Sequence, residues 1–388
     1  MGTFYLIIVD GLGVGAQEDS HLYGDAGANT LGHVSMISKC ELPNLQKMGI
    51  GNIIPLDTVQ PVMNPSCSWG KLREVSAGKD STTGHWEIAG VTLNQDFPTY
   101  PNGFPDELVK AFCDAVGIDG VLANKPFSGT EVIQLFGDEH VKTGRPILYT
   151  SADSVFQLAC HESVTSVETL YSWCKIAREK IMIGDHAVGR VIARPFTGVT
   201  RNYVRLTDHR HDFSLVPPKP NLPEFLQEHG IKTYSIGKII DLFAECGFDY
   251  FKRTKNNAEG ISELLSLMDH VESGFVFVNL IDTDQLFGHR NDPIGYGRSL
   301  EEFDRALPEI FAKLKADDVL IITGDHGNDP TTPGTDHTRE FTPLLVHDKR
   351  TENVTSLGVR SSFRDIAAST CKYFEIDHPF DGKSFLNK

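Results

Sequence analysis

The 388-residue sequence predicts an α/β fold in which a mainly parallel β-sheet is sandwiched by helices and a smaller α+β domain is inserted into the chain. Three observations support this prediction. Strand and helix patterns alternate, three apolar runs each lead into acidic residues, and two proline-rich segments frame the middle of the sequence. Such alternation is typical of parallel sheets covered by helices on both faces.

The predicted strands end at residues that can bind a cation. The runs and the residues that follow them are Phe4–Val9 before Asp10, Phe275–Ile281 before Asp282 and Asp284, and Val319–Thr323 before Asp325 and His326. Open α/β sheets place their sites at the carboxyl ends of strands, where the loops converge on a crevice. A further apolar run, Pro343–Val346, follows His337.

Two segments between the strands have helical patterns. Ser262–Met268 follows Glu259, and Leu300–Lys315 carries apolar residues at intervals of three and four. That spacing places the apolar side chains on one face of a helix, as expected for helices that cover a sheet.

The candidate ligands lie near both ends of the chain, so one sheet has to be assembled from both ends. We therefore predict a discontinuous metal-binding catalytic core, residues 1–96 and 215–388, interrupted by an inserted cap domain, residues 97–214. The segments Gln95–Pro105 and Ser214–Pro220 are rich in proline, which resists helix and sheet and stiffens linkers. A domain carried on two such linkers could hinge.

The composition, 40% hydrophobic and 23% charged residues, is that of an ordinary globular protein. A net charge of −16 argues against nucleic acid as the main partner. Seven scattered cysteines without a C-x-x-C pair suit a reducing compartment, so we predict a cytoplasmic protein. No apolar run approaches the ~20 residues of a membrane span, so no membrane partner is predicted. The sequence leaves the oligomeric state open.

One stretch is basic in this acidic background. Eight Lys and Arg residues face three acids between Lys175 and Arg210. Arginine suits phosphate because its planar guanidinium presents paired donors. The stretch is therefore either an anion-binding surface or a solvated face that balances its surroundings, and charge alone does not separate these interpretations.

Six acidic and histidine side chains form the predicted metal site: Asp10, Asp284, His289, Asp325, His326 and His337. Six ligands exceed the number that one tetrahedral zinc takes, and they suit two ions ~3.5–4 Å apart, as in phosphoryl transfer. Mixed carboxylate and imidazole ligands favour Mn²⁺ or Zn²⁺ over Ca²⁺. Taken singly, an aspartate at a strand end is also a common turn former, so only the joint pattern points to metal. From the residues alone, Asp282 competes with Asp284, because both would point the same way if the strand continued.

A second motif, A-G-K-D-S-T-T-G-H-W-E, surrounds Ser81. A hydroxyl at the start of a short helix commonly serves as a cap. The functional interpretation is that Ser81 attacks phosphorus, with its phosphate facing backbone amides. Lys79, Thr82 and Thr83 would then be neighbours of the same phosphate.

Several strings together resemble one family. They are K-D-S-T-T-G-H-W-E, D-T-D-Q-L-F-G-H-R, G-D-H-G-N-D-P, G-T-D-H-T-R-E, Y-T-S-A-D-S-V-F-Q and G-R-V-I-A-R-P-F. With Asp10 after the first strand, they resemble the alkaline phosphatase superfamily and, more narrowly, its phosphopentomutase family. The resemblance covers essentially the whole chain. It implies an alkaline-phosphatase-like core and an isomerase that interconverts ribose or 2-deoxyribose 1-phosphate and 5-phosphate.

The resemblance also implies roles for individual residues. One Mn²⁺ would be held by Asp284, His289 and His337, and the other by Asp10, Asp325 and His326, with Zn²⁺ or another divalent ion as a substitute. Ser81 would carry phosphate in a phosphoserine enzyme that works through a bisphosphate intermediate and is primed by a sugar 1,6-bisphosphate. The family pattern has threonine at this position, so Thr82 and Thr83 are rival nucleophiles.

Four further residues match positions that contact the substrate. Ser151 and Asp153 match sugar contacts, whereas Arg190 and Lys238 match residues expected to hold the far phosphate. Arg190 lies in the basic stretch. The resemblance also settles the choice of Asp284 over Asp282.

Other functions share parts of this pattern. A metal-dependent phosphatase or phosphodiesterase would use the same metal ligands without a second phosphate site. Cofactor-independent phosphoglycerate mutase also has an inserted lobe, but a longer one that lacks these strings. A non-catalytic metal-binding protein would incorporate no phosphate.

Overall fold

Two β-sheets, one of eight strands and one of six, organise the residues that the structure describes. The computed structural model describes residues 2–151, 153–351 and 353–386. Within these residues the strands are β1 (Thr3–Val9), β2 (Ser68–Leu72), β3 (Leu122–Pro126), β4 (Ile147–Thr150), β5 (Val155–His161), β6 (Arg190–Val199), β7 (Asn202–Arg205), β8 (His211–Ser214), β9 (Thr233–Ile236), β10 (Tyr250–Lys252), β11 (Gly274–Leu280), β12 (Val319–Thr323), β13 (Thr342–Asp348) and β14 (Ser356–Arg360).

Helices connect most of these strands. The α-helices are α1 (Thr30–Ser38), α2 (Pro43–Met48), α3 (Ser81–Ile88), α4 (Asp106–Val116), α5 (Gly129–Thr143), α6 (Val167–Ile176), α7 (Leu222–Glu228), α8 (Ile239–Leu242), α9 (Asn257–Met268), α10 (Pro293–Lys313) and α11 (Asp365–Tyr373). Short 3₁₀ or π turns lie at Ser20–Tyr23, Ile50–Asn52, Ala177–Ile181, Gly184–His186, Thr207–His209, Thr283–Phe287 and Gly288–Arg290.

The chain divides into two units. Unit 1 combines Met1–Gln95 with Pro217–Lys388 and contains the eight-stranded sheet, whereas unit 2, Asp96–Val216, contains the six-stranded sheet. The predicted insertion, residues 97–214, lies within unit 2. Its role as a cap stays a prediction.

The sheet of unit 1 is mainly parallel, and the predicted fold class is confirmed. The strand order is β10-β9-β11-β1-β12-β13-β2-β14, with parallel pairing from β10 to β12. Strand β13 runs antiparallel to both of its neighbours. In the centre, Phe4 of β1 pairs with Phe275 of β11 and Val319 of β12, so the carboxyl ends of these three strands align.

Every residue of β1 is buried, which shows that both faces of this sheet are covered. Tyr5, Ile7 and Val9 belong to a core formed with apolar side chains of α1, α2, α9 and α10. On the opposite face, Phe4 packs edge-on against Tyr373 of α11, with ring centroids 5.4 Å apart. A strand buried on both faces needs a continuous apolar run, which is the pattern in this sequence.

Three predicted helix boundaries were wrong. Helix α9 begins at Asn257 rather than Ser262, because the Asn256 side chain accepts a hydrogen bond from the Glu259 N–H and caps an earlier turn. Helix α10 begins at Pro293 rather than Leu300 and ends at Lys313 rather than Lys315. Both helices start before their apolar stripe, where only the capping residues signal the boundary.

The sheet of unit 2 is covered by helices on both faces. Side chains of α4 and α6 form one core with Leu148, Phe156 and Val191, while α5 covers the other face. Across the described parts of the chain, no helix is both long enough and apolar enough to span a lipid bilayer.

Candidate metal centre and reactive serine

The candidate site of unit 1 lies at the aligned carboxyl ends of the central strands. Asp10 directly follows β1, and Asp325 comes two residues after β12. After β11 the chain enters a π turn at Thr283–Phe287 and then a 3₁₀ turn, which carry Asp284 and His289. Residues distant in sequence therefore meet at one edge of the sheet.

The structure brings all six predicted ligands together. Asp10, Asp325 and His326 offer ligand atoms within 4.8 Å of one another, and so do Asp284, His326 and His337. His289 completes the second group, because its Nε2 lies 3.3 Å from Asp284 Oδ2 and 3.1 Å from His337 Nε2. His326 lies between the two groups, with its ring centroid 4.0 Å from that of His337.

Asp282 takes no part in this cluster. Its Oδ2 accepts the backbone N–H of Asn257, 2.8 Å away, at the start of α9. The expectation that Asp282 and Asp284 point the same way required the strand to continue, but β11 ends at Leu280. The π turn then directs only Asp284 into the cluster.

The histidine rings are held in an orientation that suits a metal ligand. The Nδ1 of His326 donates to the carbonyl of Gly327 at 3.0 Å, and the Nδ1 of His289 donates to that of Thr335 at 2.6 Å. In the neutral imidazole this fixes the proton on Nδ1 and leaves the Nε2 lone pair facing the carboxylates.

The carboxylates also fit a cation. Asp10 is fully buried, yet its Oδ1 makes no hydrogen bond with any described residue. Its Oδ2 accepts from Lys238 at 2.6 Å and from Asn279 at 2.9 Å. Asn328 Nδ2 donates to Asp284 Oδ1 at 2.7 Å. Because buried carboxylate oxygens are normally paired, the free Oδ1 is consistent with a metal ligand.

The electrostatics of the cluster point the same way. Burial favours the neutral form of His326, but the carboxylates of Asp325, Asp284 and Asp10 outweigh burial and raise the pKa of this imidazole to about 10. Burial also raises the pKa of Asp10, and Asp325 adds to that effect while Lys238 opposes it. The cluster thus carries an excess of negative charge that a divalent cation would neutralise.

Ser81 is the one of the three neighbouring hydroxyl residues that contacts this cluster. Its Oγ accepts a hydrogen bond from Lys238 Nζ at 2.8 Å and lies 3.1 Å from His326 Nε2. The Thr83 hydroxyl instead donates to Asp80, whose carboxylate also caps α3 by accepting the N–H groups of Thr82 and Thr83. The cap belongs to Asp80, which leaves the Ser81 hydroxyl available for another role.

His85 is a neighbour of the site, and no role was predicted for it from the sequence. It is fully buried one turn after Ser81, and its Nδ1 lies 2.8 Å from the Ser81 carbonyl and 3.1 Å from Asp325 Oδ2. The signal for it was the spacing of four residues, which places two helical side chains on the same face. Asn279 and Asn328 were also missed, because nothing local in the sequence marks an amide that orients a ligand.

The four predicted substrate residues divide between the units. Ser151, Asp153 and Arg190 lie together in unit 2: the Asp153 N–H donates to Ser151 Oγ at 3.3 Å, and Arg190 Nη2 lies 3.7 Å from Asp153 Oδ2. Lys238 lies in unit 1, where its Nζ contacts Ser81 Oγ and Asp10 Oδ2 beside the cluster of predicted metal ligands.

Comparison with known proteins places this chain in a family. A model of the metalloenzyme superfamily matches residues 2–378. A phosphopentomutase from Caldanaerobacter subterraneus subsp. tengcongensis is 52% identical over 383 residues, covering 99% of this chain and 97% of that protein. One from Acetivibrio thermocellus is 50% identical, covering 98% of each. The chain belongs to the phosphopentomutase family. As a phosphopentomutase-family protein it is an enzyme of the isomerase class.

The fold of this phosphopentomutase-family chain resembles that of a more distant mutase. A Leishmania mexicana phosphoglycerate mutase, crystallised at low cobalt concentration, matches with a TM-score of 0.51 at 12% identity, covering 99% of this chain and 97% of that one. With the superfamily match, this similarity confirms the predicted alkaline-phosphatase-like α/β core.

Proposed function

We propose that this enzyme interconverts the 1-phosphate and 5-phosphate of ribose or 2-deoxyribose through a phosphorylated Ser81. The observation that carries the proposal is the position of the Ser81 hydroxyl, in contact with both Lys238 and His326 at the edge of the acidic cluster. Phosphopentomutases that are about half identical to this protein over nearly the whole chain support the same reaction.

Two divalent ions, by preference Mn²⁺, would be held by the six clustered side chains. Asp284, His289 and His337 would provide one set of ligands, and Asp10, Asp325 and His326 the other. Bound ions would polarise phosphoryl oxygens and lower the pKa of the serine hydroxyl. The free Asp10 Oδ1 and the fixed Nε2 atoms support this assignment.

The protein groups around Ser81 suit phosphoryl transfer. Lys238 brings positive charge to the serine oxygen, so we propose that it acts on the phosphate carried by Ser81 rather than only on the far phosphate. Ser81 is the first residue of α3, where backbone N–H groups favour an anion. In each half-reaction one P–O bond breaks as another forms, and the hydroxyl proton of the acceptor ends on the oxygen that loses phosphate.

The proposed cycle needs two phosphate positions. Phosphoserine gives its phosphoryl group to a pentose monophosphate, and the resulting bisphosphate returns its other phosphoryl group to Ser81. A sugar 1,6-bisphosphate would phosphorylate the serine before the first turnover. We propose that Ser151 and Asp153 bind the sugar and that Arg190 holds the phosphate that is not reacting. Because its proposed substrates are soluble sugar phosphates, we propose that the enzyme acts in the cytoplasm.

A coupled assay tests the reaction. Ribose 5-phosphate formed from ribose 1-phosphate is measured with and without Mn²⁺ and the bisphosphate primer, and we expect turnover to require both. Mass spectrometry after priming should locate one phosphate on Ser81. Ser81→Ala should abolish both signals, whereas the matched Thr82→Ala should keep them. Phosphate on Thr82 or Thr83, or full activity of Ser81→Ala, would contradict the proposal.

A second experiment separates a mutase from a phosphatase. Arg190→Ala should lower mutase activity because one phosphate of the intermediate loses its partner, while hydrolysis of phosphoserine is kept. Arg145→Ala, in the same unit and paired with Asp119, is the matched control. Mutase activity unchanged in a folded Arg190→Ala protein would rule out the two-position account.

The number of metal ions bound per chain tests the assignment of the metal ligands. We expect two metal ions per chain in the wild type and clearly fewer in Asp325→Asn, measured by plasma mass spectrometry after gel filtration. Asp282→Asn is the control, because that side chain accepts a hydrogen bond from the start of α9 and lies outside the cluster. Equal metal content in wild type and Asp325→Asn would remove Asp325 from the ligand set.

A further inference from the structure

Unit 2 contains a basic cavity for which neither the metal centre nor the proposed sugar contacts account. It has a volume of about 130 Å³ and is lined by Arg194, Pro195, Arg205, Leu206, Thr207 and Arg210. Such a volume exceeds that of a single water molecule several-fold and accommodates a tetrahedral oxyanion. Among the described residues no acidic side chain lines it, so its walls are positively charged.

The three arginines differ in how they are held. Arg194 is fixed by Gln157, whose Oε1 accepts from Nε at 3.2 Å and from Nη2 at 3.0 Å. Arg210 makes a bidentate pair with Asp212, with the closer contact at 2.6 Å. The guanidinium of Arg205 makes no hydrogen bond or salt bridge with the described residues. One carboxylate therefore faces three cations, and this surplus of charge favours an anion.

A buried hydroxyl lies close to Arg205, one of the arginines that line the cavity. Tyr149 is 1% exposed, and its hydroxyl makes no hydrogen bond with any described residue. A carbon added to Gly129 would lie 2.8 Å from this hydroxyl oxygen and 3.5 Å from Arg205 Nη1. The Tyr149 hydroxyl and the Arg205 guanidinium therefore both lie next to Gly129. Because a buried hydroxyl without a partner is unfavourable, a ligand that accepts its hydrogen bond would stabilise it.

Gly129, next to both groups, lies at the N-terminus of a long helix. Gly129 is the first residue of the 15-residue helix α5, and the Ser128 side chain makes no capping hydrogen bond. The first N–H groups of a helix have no acceptor within it, and the helix dipole favours negative charge there. Helix N–H groups, a phenolic hydroxyl and arginine forks are the donors that bind phosphate.

We propose that the cavity lined by Arg194, Arg205 and Arg210, together with the Tyr149 hydroxyl and the N-terminus of α5, is a phosphate-binding site. Arg190 and Arg194 lie on the same face of β6, four residues or roughly 13 Å apart at the usual rise of a strand. Asp212 Oδ2 lies 3.6 Å from Arg190 Nη1 and 2.6 Å from Arg210 Nη2. The cavity therefore adjoins the position proposed for the non-reacting phosphate but differs from it in its lining residues. Its ligand is either free inorganic phosphate or the phosphate of a sugar monoester.

The test measures inorganic phosphate binding to the full-length, metal-loaded protein by isothermal titration calorimetry. Arg205→Gln removes the unpaired guanidinium, and Tyr149→Phe removes only the hydroxyl while keeping the buried ring. Arg201→Gln, an exposed residue on the turn between β6 and β7, is the control with the same change of charge. We expect about tenfold weaker binding for Arg205→Gln and about fivefold for Tyr149→Phe, with Arg201→Gln unchanged.

A second arm identifies the source of the phosphate. If KM for ribose 1-phosphate rises in parallel with the loss of phosphate affinity, the cavity holds a phosphate of the substrate. If KM stays constant while phosphate affinity falls, the cavity binds the free ion. Affinity that is equal in all proteins, or that falls equally in Arg201→Gln, overturns the site. Binding is measured without turnover, so this failure is distinct from a failure of the Ser81 mechanism.

Discussion

Arg339 connects the segment before Ser81 to the loop that carries His337. Its side chain is only 3% exposed, and Nη1 donates to the carbonyls of Ser76 and Gly78 at 2.7 and 2.8 Å. Nη2 donates to the Glu74 carbonyl at 2.9 Å, and Nη1 lies 3.1 Å from Glu74 Oε2. Neither carboxylate oxygen of Glu74 makes a hydrogen bond with any described residue, so Arg339 is its charge partner.

Arg339→Met keeps much of the buried side chain and removes the charge and the donors. Breaking a buried ion pair by removing one partner costs about 3–5 kcal/mol, because the other charge stays buried. Three carbonyls also lose their donor. We therefore expect the free energy of unfolding to fall by about 3–5 kcal/mol, a large part of the ~5–15 kcal/mol that stabilises a typical protein.

The pH dependence of this loss has a defined sign. Burial raises the pKa of Glu74 and Arg339 opposes this rise, so removal of Arg339 raises the pKa further. A carboxyl whose folded-state pKa is raised stabilises the protein below its unfolded pKa, and this contribution is lost as pH rises through the folded value. The deficit of Arg339→Met should thus be smaller at about pH 5.5 than at about pH 8.

Urea unfolding followed by circular dichroism at both pH values measures the effect. Arg253→Met is the matched control, because Arg253 is 46% exposed and pairs with exposed acids, and it should lose at most about 1 kcal/mol. Adding Glu74→Gln to Arg339→Met should abolish the pH difference. A deficit below about 1 kcal/mol, or one independent of pH, would refute the reasoning.

Three further predictions concern packing and protonation. A carbon added to Gly84 would lie 2.0 Å from the Asp325 carbonyl oxygen, so Gly84→Ala should shift Asp325 and lower turnover at least ~100-fold; near-wild-type turnover would contradict this. His140 Nε2 accepts the His161 N–H at 2.8 Å, and burial lowers the pKa of His140. Protection of the His161 amide from hydrogen exchange, full above about pH 6.5, should therefore fall below it, and constant protection would be the opposing result. Phe156→Ala should cost about 3–5 kcal/mol in urea unfolding, and a loss under ~1.5 kcal/mol would show that the core of unit 2 re-packs.

The sequence predicted the centre of the fold because its strands are buried on both faces. Such strands need a continuous apolar run, and β1, β11 and β12 lie where these runs occur. The direction of β13 could not be predicted, because an apolar run is the same for parallel and antiparallel pairing. Helix starts were missed for a related reason: the cap at Asn256 precedes the amphipathic pattern.

At the site, sequence reasoning succeeded where chemistry is marked by residue type. Acids and histidines beside buried strands predicted most of the side chains that converge, and the family resemblance selected Asp284 over Asp282. The position of Lys238 on Ser81 depends on how the short helix α8 packs beside α3, which no local pattern encodes. His85 and Asn279 act on other side chains rather than on a ligand, so their roles emerge only from distances.

The pairing of β1 with β11 and β12 has a consequence for biosynthesis. During translation, this seven-residue apolar strand has no neighbour until Leu280 of β11 has been made, and it lacks β12 until Thr323 has been made. Pairing between strands that are distant in sequence is slow and leaves unpaired, aggregation-prone strand edges exposed. We therefore expect the nascent polypeptide to bind chaperones. Residues 96–216, by contrast, are contiguous and can assemble earlier. Because His337 is one of the proposed metal ligands, we expect the metal centre to be complete only after His337 has left the exit tunnel.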